Sequence, residues 1–276
     1  MWRFGDTDVS HAQARLETAL AAGVTLFDTA DCYGAWESIG FGGAEALLGE
    51  VFAAAPHLRG KMVLATKGGI VKDMPYDSSA AYLTSAIDSS LKRLQTEQID
   101  LWQIHRPDVL THPAEIASAL EAAQKAGKIR AIGVSNYTPA QVAALQAHLT
   151  LPIISNQVEF SPLQIAPLWD GVMDQAEERS MAVMAWSPLG GGRIAVPDDT
   201  KCLAAAAALT TKAAEFGVSI ASATYSWIMA HPARPIPIVG TQNLARIAEI
   251  PDAFKPRWTR QEWYAVLQAA MGVNLP

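Results

Sequence analysis

Cysteine and charge are both scarce in this chain of 276 residues. The two cysteines, Cys32 and Cys202, are too few for a disulfide framework or a four-cysteine metal site, so we expect no bound metal. Only 17% of the residues are charged whereas 50% are hydrophobic, which is the composition of a folded globular protein. The net charge of −6 argues against a nucleic-acid partner, because binding phosphates requires a basic surface.

Long hydrophobic runs are also absent. The longest apolar stretches, such as residues 204–210, fall far short of the roughly 20 residues that a membrane-spanning helix needs. Met1 is not followed by the basic and then apolar segments of a secretion signal. We therefore expect a cytoplasmic protein with no membrane partner, and the sequence leaves its oligomeric state open.

Short runs rich in Val, Ile and Leu alternate with longer amphipathic stretches typical of helices. Strands are predicted at residues 1–4, 24–28, 62–67, 99–105, 129–134, 153–158, 182–186 and 236–239. Helices are predicted at residues 11–22, 43–55, 79–94, 113–126, 139–147, 168–179 and 201–216, with extra helices at 219–230 and 259–270. This alternation predicts an α/β fold with a parallel sheet.

The strand ends favour a closed barrel over a doubly wound open sheet. In an open sheet only the strands near one switch point contact a ligand, whereas in a (β/α)8 TIM barrel all strands end around one site. Polar or small residues end seven predicted strands: Asp28, Lys67, His105, Ser135 with Asn136, Gln157, Ser187, and Gly240 with Thr241. We therefore predict a single-domain TIM barrel over residues 1–276, with extra helices packed on it near the C-terminus.

Four of the side chains near these strand ends suit proton transfer. Lys67 ends an apolar strand, so its ammonium needs a counter-ion, which Asp28 can supply. Tyr33 follows Asp28 by a short loop, and a nearby ammonium would lower the pKa of its phenol from about 10 toward working pH. His105 can hydrogen-bond the same oxygen. The group suits protonation of a carbonyl as hydride arrives, although Asp28 and Lys67 alone equally fit a structural ion pair.

Three stretches together resemble the aldo-keto reductase family: residues 23–34 (GVTLFDTADCYG), 127–136 (GKIRAIGVSN) and 156–159 (NQVE). Residues 105–108 and the Gly190–Gly192 loop are similar to a bacterial subgroup of oxidoreductases in that family. The resemblance implies NADPH-dependent reduction of an aldehyde or ketone, with Tyr33 as proton donor, Lys67 and Asp28 tuning it, and His105 orienting the carbonyl. It also implies a TIM barrel whose usual N-terminal capping hairpin is absent from this chain.

The resemblance further implies the cofactor contacts. Ser135, Asn136 and Gln157 match the groups that hold the nicotinamide carboxamide, and Trp186 matches the aromatic stacked on its ring. The pyrophosphate loop supplies Ser187, Leu189, Gly191 and Arg193, the segment at the adenosine 2′-phosphate supplies Gly240, Thr241, Gln242 and Arg246, and Trp2, Asp28 and Glu249 are further contacts. A guanidinium pairs well with a phosphate, so Arg246 favours NADPH over NADH.

Two other functions remain open. One is a Schiff-base aldolase that uses the Lys67 amine. The other is a redox-sensing or regulatory protein that binds NADP(H) with negligible turnover.

The residues around the four proton-transfer groups allow two smaller expectations. Cys32 is expected to be a packing residue, since nothing basic adjoins it in sequence. The substrate pocket is expected to include Trp2, Trp36, Arg106 and Phe160, which suits a hydrophobic or mid-sized carbonyl.

Overall fold

Seven short strands alternate with helices over residues 7–275, which are the residues that the computed structural model describes. They are β1 (Leu26–Asp28), β2 (Val63–Gly68), β3 (Ile99–Ile104), β4 (Ile129–Ser135), β5 (Ile153–Glu159), β6 (Ala182–Trp186) and β7 (Ile236–Pro237). Their order in the sheet follows their order in the chain. Each begins and ends within about two residues of a predicted strand, while the strand predicted at residues 1–4 and the contact predicted for Trp2 lie outside the described residues.

The helices also follow the predicted pattern. They are α1 (Val9–Ala21), α2 (Gly43–Ala54), α3 (Ala80–Leu94), α4 (Pro113–Lys125), α5 (Pro139–Gln146), α6 (Val172–Arg179), α7 (Thr200–Phe216), α8 (Ile220–Met229), α9 (Leu244–Ala248) and α10 (Arg260–Met271). Gly127 and Gly217 adopt φ angles of 75° and 62° just after α4 and α7. Glycine enters this left-handed region without steric cost, which explains why both helices stop where predicted.

The chain divides into two compact units. The first comprises residues 7–156 and Gly240–Ile247, and the second comprises Gln157–Val239 and residues 248–275. In the first unit β1, β2, β3 and β4 pair in parallel, one after the other, and in the second β6 pairs in parallel with β7. The prediction that residues 1–276 form one domain remains a prediction.

Strand β3 shows why these segments are strands. All six of its residues are buried, including Trp102 at 0% exposure. A parallel strand covered on both faces has no solvent side, so apolar residues dominate its sequence, and in β3 the polar residues are Asp100 and Gln103. Polar side chains that occur within such strands or at their carboxyl ends therefore stand out, and several of them form the site described below.

None of the single helices in the described part of the chain is both long and apolar enough to cross a membrane. The pair α7 and α8 reaches that length only when taken together, and the two are bent by 100° at the break between them.

Candidate active site

Asp28 and Lys67 form a buried ion pair near the carboxyl ends of β1 and β2. The Lys67 ammonium lies 2.5 Å from Asp28 Oδ2 and donates a second hydrogen bond to the Thr29 carbonyl oxygen, 2.8 Å away. Lys67 is 0% exposed and Asp28 is 7% exposed. A charge this deep requires a partner, and Asp28 is the counter-ion that the sequence predicted for Lys67.

The charge state of Lys67 bears on the chemistry open to it. Burial lowers the pKa of the Lys67 ammonium, but the Asp28 carboxylate and the Tyr33 phenol raise it by more, so the pKa lies above its ordinary value. Lys67 is therefore charged at neutral pH. Schiff-base chemistry starts from a neutral amine, so this environment disfavours the aldolase alternative.

Gln103 is a further contact of Asp28 that the sequence analysis missed. Its side-chain Nε2 donates to Asp28 Oδ1 over 3.1 Å, and the residue is fully buried on β3, opposite Lys67 in the register of the strands. The signal was present in the sequence, because Gln103 is an amide within an otherwise apolar strand end. Asp28 is thus held from both sides, by an ammonium and by an amide.

Tyr33 lies beside this pair and is partly buried. The Lys67 ammonium lies 5.1 Å from the centroid of its ring. Burial raises the pKa of Tyr33, the charge of Lys67 lowers it by less, and Asp28 raises it again, so the pKa lies above its ordinary value. The predicted lowering of this pKa is therefore wrong: Lys67 acts in the expected direction, but the loss of solvation is larger. Tyr33 is protonated at neutral pH.

His105 packs against Tyr33 edge to face, with ring centroids 5.8 Å apart and an interplanar angle of 78°. Its backbone is fixed on both sides, since its N–H donates to the Gly68 carbonyl over 2.9 Å and its carbonyl accepts from Asn136 Nδ2 over 3.2 Å. Burial, then the charges of Lys67 and Arg106, hold the pKa of the imidazole well below 6.5. His105 is therefore neutral at physiological pH.

Cys32 contacts His105 directly. Its Sγ lies 3.6 Å from His105 Nδ1, and the residue is 2% exposed. Burial, followed by the carboxylate of Asp31, raises the pKa of the thiol to about 12. The ligating atoms of Asp31, Cys32 and His105 all lie within 4.8 Å of one another.

The first unit also carries residues predicted to bind the cofactor. Ser135 is buried at the end of β4, and its Oγ accepts a hydrogen bond from Asn136 Nδ2 at 2.8 Å. Asn136 has a φ of 60°, in the left-handed region that asparagine enters more readily than most residues with a side chain. The turn places Ser135 and Asn136 together beside His105, whose carbonyl oxygen accepts from Asn136 Nδ2.

The residues predicted to bind the 2′-phosphate lie just before α9 and within it. Thr241 and Gln242 are half-buried and Arg246 is exposed. The Asn243 side chain accepts from the backbone N–H of Arg246 at 3.2 Å, capping the helix, and Arg15 donates to the Gln242 carbonyl over 3.3 Å. The exposed Gly240 precedes this segment. Helix α9 was not predicted, because its five residues are too few to show a helical period.

In the second unit, a tight turn follows β6. Gln157 is buried, Trp186 is half-buried at the end of β6, and Ser187 has a φ of 49°. Gly190, Gly191 and Gly192 have φ angles of 57°, 70° and 97°. A Cβ on Gly191 or Gly192 would meet nothing within 4 Å, so it is the backbone conformation that requires glycine there.

Arg193 at the end of this turn is already engaged. Its guanidinium contacts the carboxylates of Asp198 and Asp199 at 2.7 and 2.6 Å. Leu189 is half-buried within the turn, and Glu249, the remaining predicted contact of the cofactor, is exposed.

The residues predicted for the substrate pocket differ in exposure. Trp36 is 68% exposed and Arg106 is half-buried. Phe160 is 0% exposed and stacks on Trp227, with ring centroids 5.9 Å apart. The pocket position predicted for Phe160 is therefore wrong, because its ring belongs to the core of the second unit.

Comparisons with known proteins identify the family of this chain. The sequence model of the Aldo/keto reductase family matches residues 1–270. The 6-dehydroglucose reductase of Novosphingobium aromaticivorans is 54% identical over 278 residues, covering 100% of this chain and 91% of that protein. The 6-dehydroglucose reductase of Agrobacterium fabrum is 36% identical, covering 99% and 93%. The oxidoreductase YdhF of Escherichia coli is also 36% identical, covering 100% and 93%.

Solved structures show the same fold. The glycerol dehydrogenase AKR11B4 from Gluconobacter oxydans superposes with a TM-score of 0.83 and is 26% identical, covering 97% of this chain and 87% of that one. The thermostable aldo-keto reductase Tm1743 superposes with a TM-score of 0.80 at 24% identity, covering 95% and 88%. The predicted parallel (β/α)8 fold is thereby confirmed, and the chain belongs to the aldo/keto reductase family of oxidoreductases.

Proposed function

We propose that the protein is an NADPH-dependent carbonyl reductase that uses Tyr33 as its proton donor and a sugar aldehyde of the 6-dehydroglucose type as its substrate. The observation that carries the proposal is the buried group formed by Asp28, Lys67, Tyr33 and His105. Family membership supports the reaction class.

The proton path follows from the charge states. Tyr33 is protonated at neutral pH because burial raises its pKa. As hydride reaches the carbonyl carbon, negative charge develops on the carbonyl oxygen, and Tyr33 transfers its proton to that oxygen. The phenolate left behind is stabilised by the Lys67 ammonium, which the Asp28 carboxylate holds in place at 2.5 Å. The ion pair thus contributes most after the proton has begun to move.

His105 has a different task in this proposal. A neutral imidazole has one ring N–H, which can donate a hydrogen bond to the carbonyl oxygen without carrying a charge of its own. Its backbone is fixed by hydrogen bonds to Gly68 and Asn136, which hold the residue in place beside Tyr33 before substrate binds. We therefore assign His105 to orienting the carbonyl and Tyr33 to protonating it.

The residues predicted for the cofactor fit a dinucleotide phosphate. In the first unit, Ser135 and Asn136 offer polar side chains for the nicotinamide amide, and the exposed guanidinium of Arg246 suits a 2′-phosphate. NADPH, when bound, supplies the hydride.

In the second unit, the glycine turn exposes backbone without side chains at Gly191 and Gly192, as phosphate-binding loops do. Gln157, Trp186, Ser187, Leu189, Arg193 and Glu249 complete the proposed contacts there, and Thr241, Gln242 and Gly240 complete them in the first unit. The contact proposed for Arg193 requires its guanidinium to bind phosphate while paired with, or after leaving, Asp198 and Asp199.

Two relatives support the substrate class. The relatives from Novosphingobium aromaticivorans (54% identical) and Agrobacterium fabrum (36% identical) are 6-dehydroglucose reductases, and each match covers nearly the whole chain. The name describes glucose with an aldehyde at C6, a polar carbonyl of moderate size. A sugar aldehyde agrees with the expected mid-sized carbonyl but not with the expected hydrophobic one. The expectation of a hydrophobic substrate relied in part on Phe160.

The test is reduction of 6-dehydroglucose by the purified chain with NADPH, compared with an apolar aldehyde such as benzaldehyde. We expect turnover with a clear preference for the sugar aldehyde. Tyr33→Phe should lower the rate by at least about 100-fold, while its affinity for NADPH, followed by tryptophan fluorescence, stays nearly unchanged. Tyr264→Phe, on the exposed face of α10, is the matched control and should leave the rate unchanged.

Other outcomes select among the alternatives. An unchanged rate in Tyr33→Phe would remove the tyrosine from its role. Tight NADPH binding without turnover of any carbonyl would favour the regulatory alternative, in which the protein binds the cofactor but does not use it. A preference for benzaldehyde would refute the sugar substrate while leaving the proton-transfer group in place.

A further inference from the structure

We infer that Cys32 is a positioning residue: its thiol donates a hydrogen bond to His105 Nδ1 and thereby holds the imidazole in the tautomer whose Nε2–H faces the substrate carbonyl. The inference rests on the role that the proposed function gives to His105. It goes beyond that proposal because it names Cys32 as the residue that determines which nitrogen of the His105 ring carries the proton.

The geometry places the two side chains in contact. Cys32 Sγ lies 3.6 Å from His105 Nδ1, within the range of a hydrogen bond to sulfur, and both residues are at least 91% buried. Among the described residues, Cys32 is the side chain found at this nitrogen. The backbone of Cys32 is anchored on either side, because Asp31 N–H donates to the Lys67 carbonyl and the Cys32 carbonyl accepts from Ala35.

The direction of the hydrogen bond follows from chemistry. In a neutral imidazole one nitrogen is a donor and the other an acceptor. An imidazole nitrogen is a good acceptor whereas a thiol sulfur is a weak one, so the pair is better formed as S–H to nitrogen than as N–H to sulfur. The nearby carboxylate of Asp31 and the burial of the thiol both keep the proton on sulfur. Nδ1 is then the acceptor and Nε2 carries the hydrogen.

This tautomer is the one the reaction needs. Nδ1 is occupied by Cys32, so Nε2 is the nitrogen that remains for a substrate oxygen. A donor preset at that position does not have to reorganise when charge develops on the oxygen, and such preorganised donors act mainly in the transition state. Loss of the Cys32 thiol should therefore lower kcat more than it raises KM.

The direct test is the tautomer itself. Two-bond proton–nitrogen spectra of protein labelled with ¹⁵N-histidine distinguish a nitrogen that bears a proton from one that does not. The chain has six histidines, and His105→Gln identifies the signals of His105 by their loss. At pH 8 we expect wild-type His105 to show an unprotonated Nδ1 and a protonated Nε2. Cys32→Ala should shift it toward a mixture of both tautomers.

Kinetics with the sugar aldehyde test the consequence. Cys32→Ala should lower kcat by about five- to tenfold, the loss expected for one hydrogen bond. Cys32→Ser keeps a donor at this position and should restore the tautomer and part of kcat. Cys202→Ala removes the chain's other buried thiol, which donates to the Arg193 carbonyl, and should leave the His105 signals unchanged.

Each contrary result has a distinct meaning. A protonated Nδ1 in wild type, or a tautomer that Cys32→Ala does not change, would overturn the inference. A changed tautomer with unchanged kcat would overturn the positioning role. A wild-type protein that holds the Nε2–H tautomer but reduces no carbonyl would refute the proposed function and leave the hydrogen bond between Cys32 and His105 standing.

Discussion

The Lys67 ammonium lies 2.5 Å from the Asp28 carboxylate, with the two side chains 0% and 5% exposed. Removing one partner of a buried ion pair leaves the other charge uncompensated, which costs about 3–5 kcal/mol. Losing one partner should therefore lower stability as well as change the charge near Tyr33, and both effects can be measured in one variant.

Asp28→Asn should lower the free energy of unfolding by about 3 kcal/mol and carbonyl reduction by at least about tenfold. The physical reason is that the Lys67 ammonium stays buried but loses its carboxylate counter-ion, and only neutral amide and carbonyl groups remain to contact it. Urea unfolding and steady-state kinetics measure the two effects. Asp88→Asn is the control, since its pair with Lys128 is exposed and is worth less than about 1 kcal/mol. Equal losses in both variants would contradict the argument.

Gly133→Ala should destabilise the protein by about 1–3 kcal/mol, the usual cost of overpacking. A Cβ there would lie 2.2 Å from Ser155 Oγ and 3.0 Å from Gln103 Cγ, and Gln103 is the amide that holds Asp28. The rate of carbonyl reduction should therefore fall with stability. Gly60→Ala is the matched control, because a Cβ at Gly60 meets nothing within 4 Å. Thermal unfolding that places both variants at the wild-type value would sink the prediction.

Much of the fold could be predicted because its signals are local. The buried strands are short apolar runs, and Gly127 and Gly217 mark helix ends through their own backbone freedom. The start of α6 was predicted four residues too early, because Gly171, with a φ of 86°, separates the helix from a short 3₁₀ turn at Ala166–Leu168. An apolar pattern runs through both segments and does not reveal the break.

The parts of the site that were missed depend on contacts distant in sequence. The pKa of Tyr33 is decided by burial against the charge of Lys67, and a sequence gives the charge but not the extent of burial. Phe160 looked like a pocket residue because it follows a strand. Its ring instead stacks on Trp227, which is 67 residues away in the sequence. Cys32 looked inert for the same reason, since its partner His105 is 73 residues away.

Arg246→Ala should weaken the binding of NADPH more than that of NADH, because it removes a guanidinium that is proposed to pair with the 2′-phosphate present only in NADPH. A loss of about tenfold in the ratio of the two affinities is expected for one charged hydrogen bond. Fluorescence titration of each cofactor measures the ratio. Arg260→Ala, at the exposed start of α10, is the control. An unchanged ratio in Arg246→Ala would show that Arg246 is only a surface charge.

Asp31→Asn should make the protein more stable at pH 8 and leave it about equally stable at pH 4. Burial, followed by the charge of Glu45, raises the pKa of the Asp31 carboxyl from 3.8 to about 7. The folded state therefore keeps a proton that the unfolded state releases between these values. The contribution of the Asp31 carboxyl to the free energy of unfolding is fully present below pH 3.8 and is lost as the pH rises through 7. The loss is at most about 1.4 kcal/mol per pH unit.

Urea unfolding of both proteins across pH 4 to 8 measures this loss as the difference between their curves. The difference is the right quantity, because the lowered pKa of His105 acts in the opposite sense and makes both proteins less stable as the pH falls below 6.5. We expect Asp31→Asn to gain about 2–4 kcal/mol relative to wild type over this range. The exposed Asp73 gives the control, and Asp73→Asn should follow the wild-type curve. Parallel curves for wild type and Asp31→Asn would mean that the Asp31 carboxyl is solvated well enough to ionise without cost.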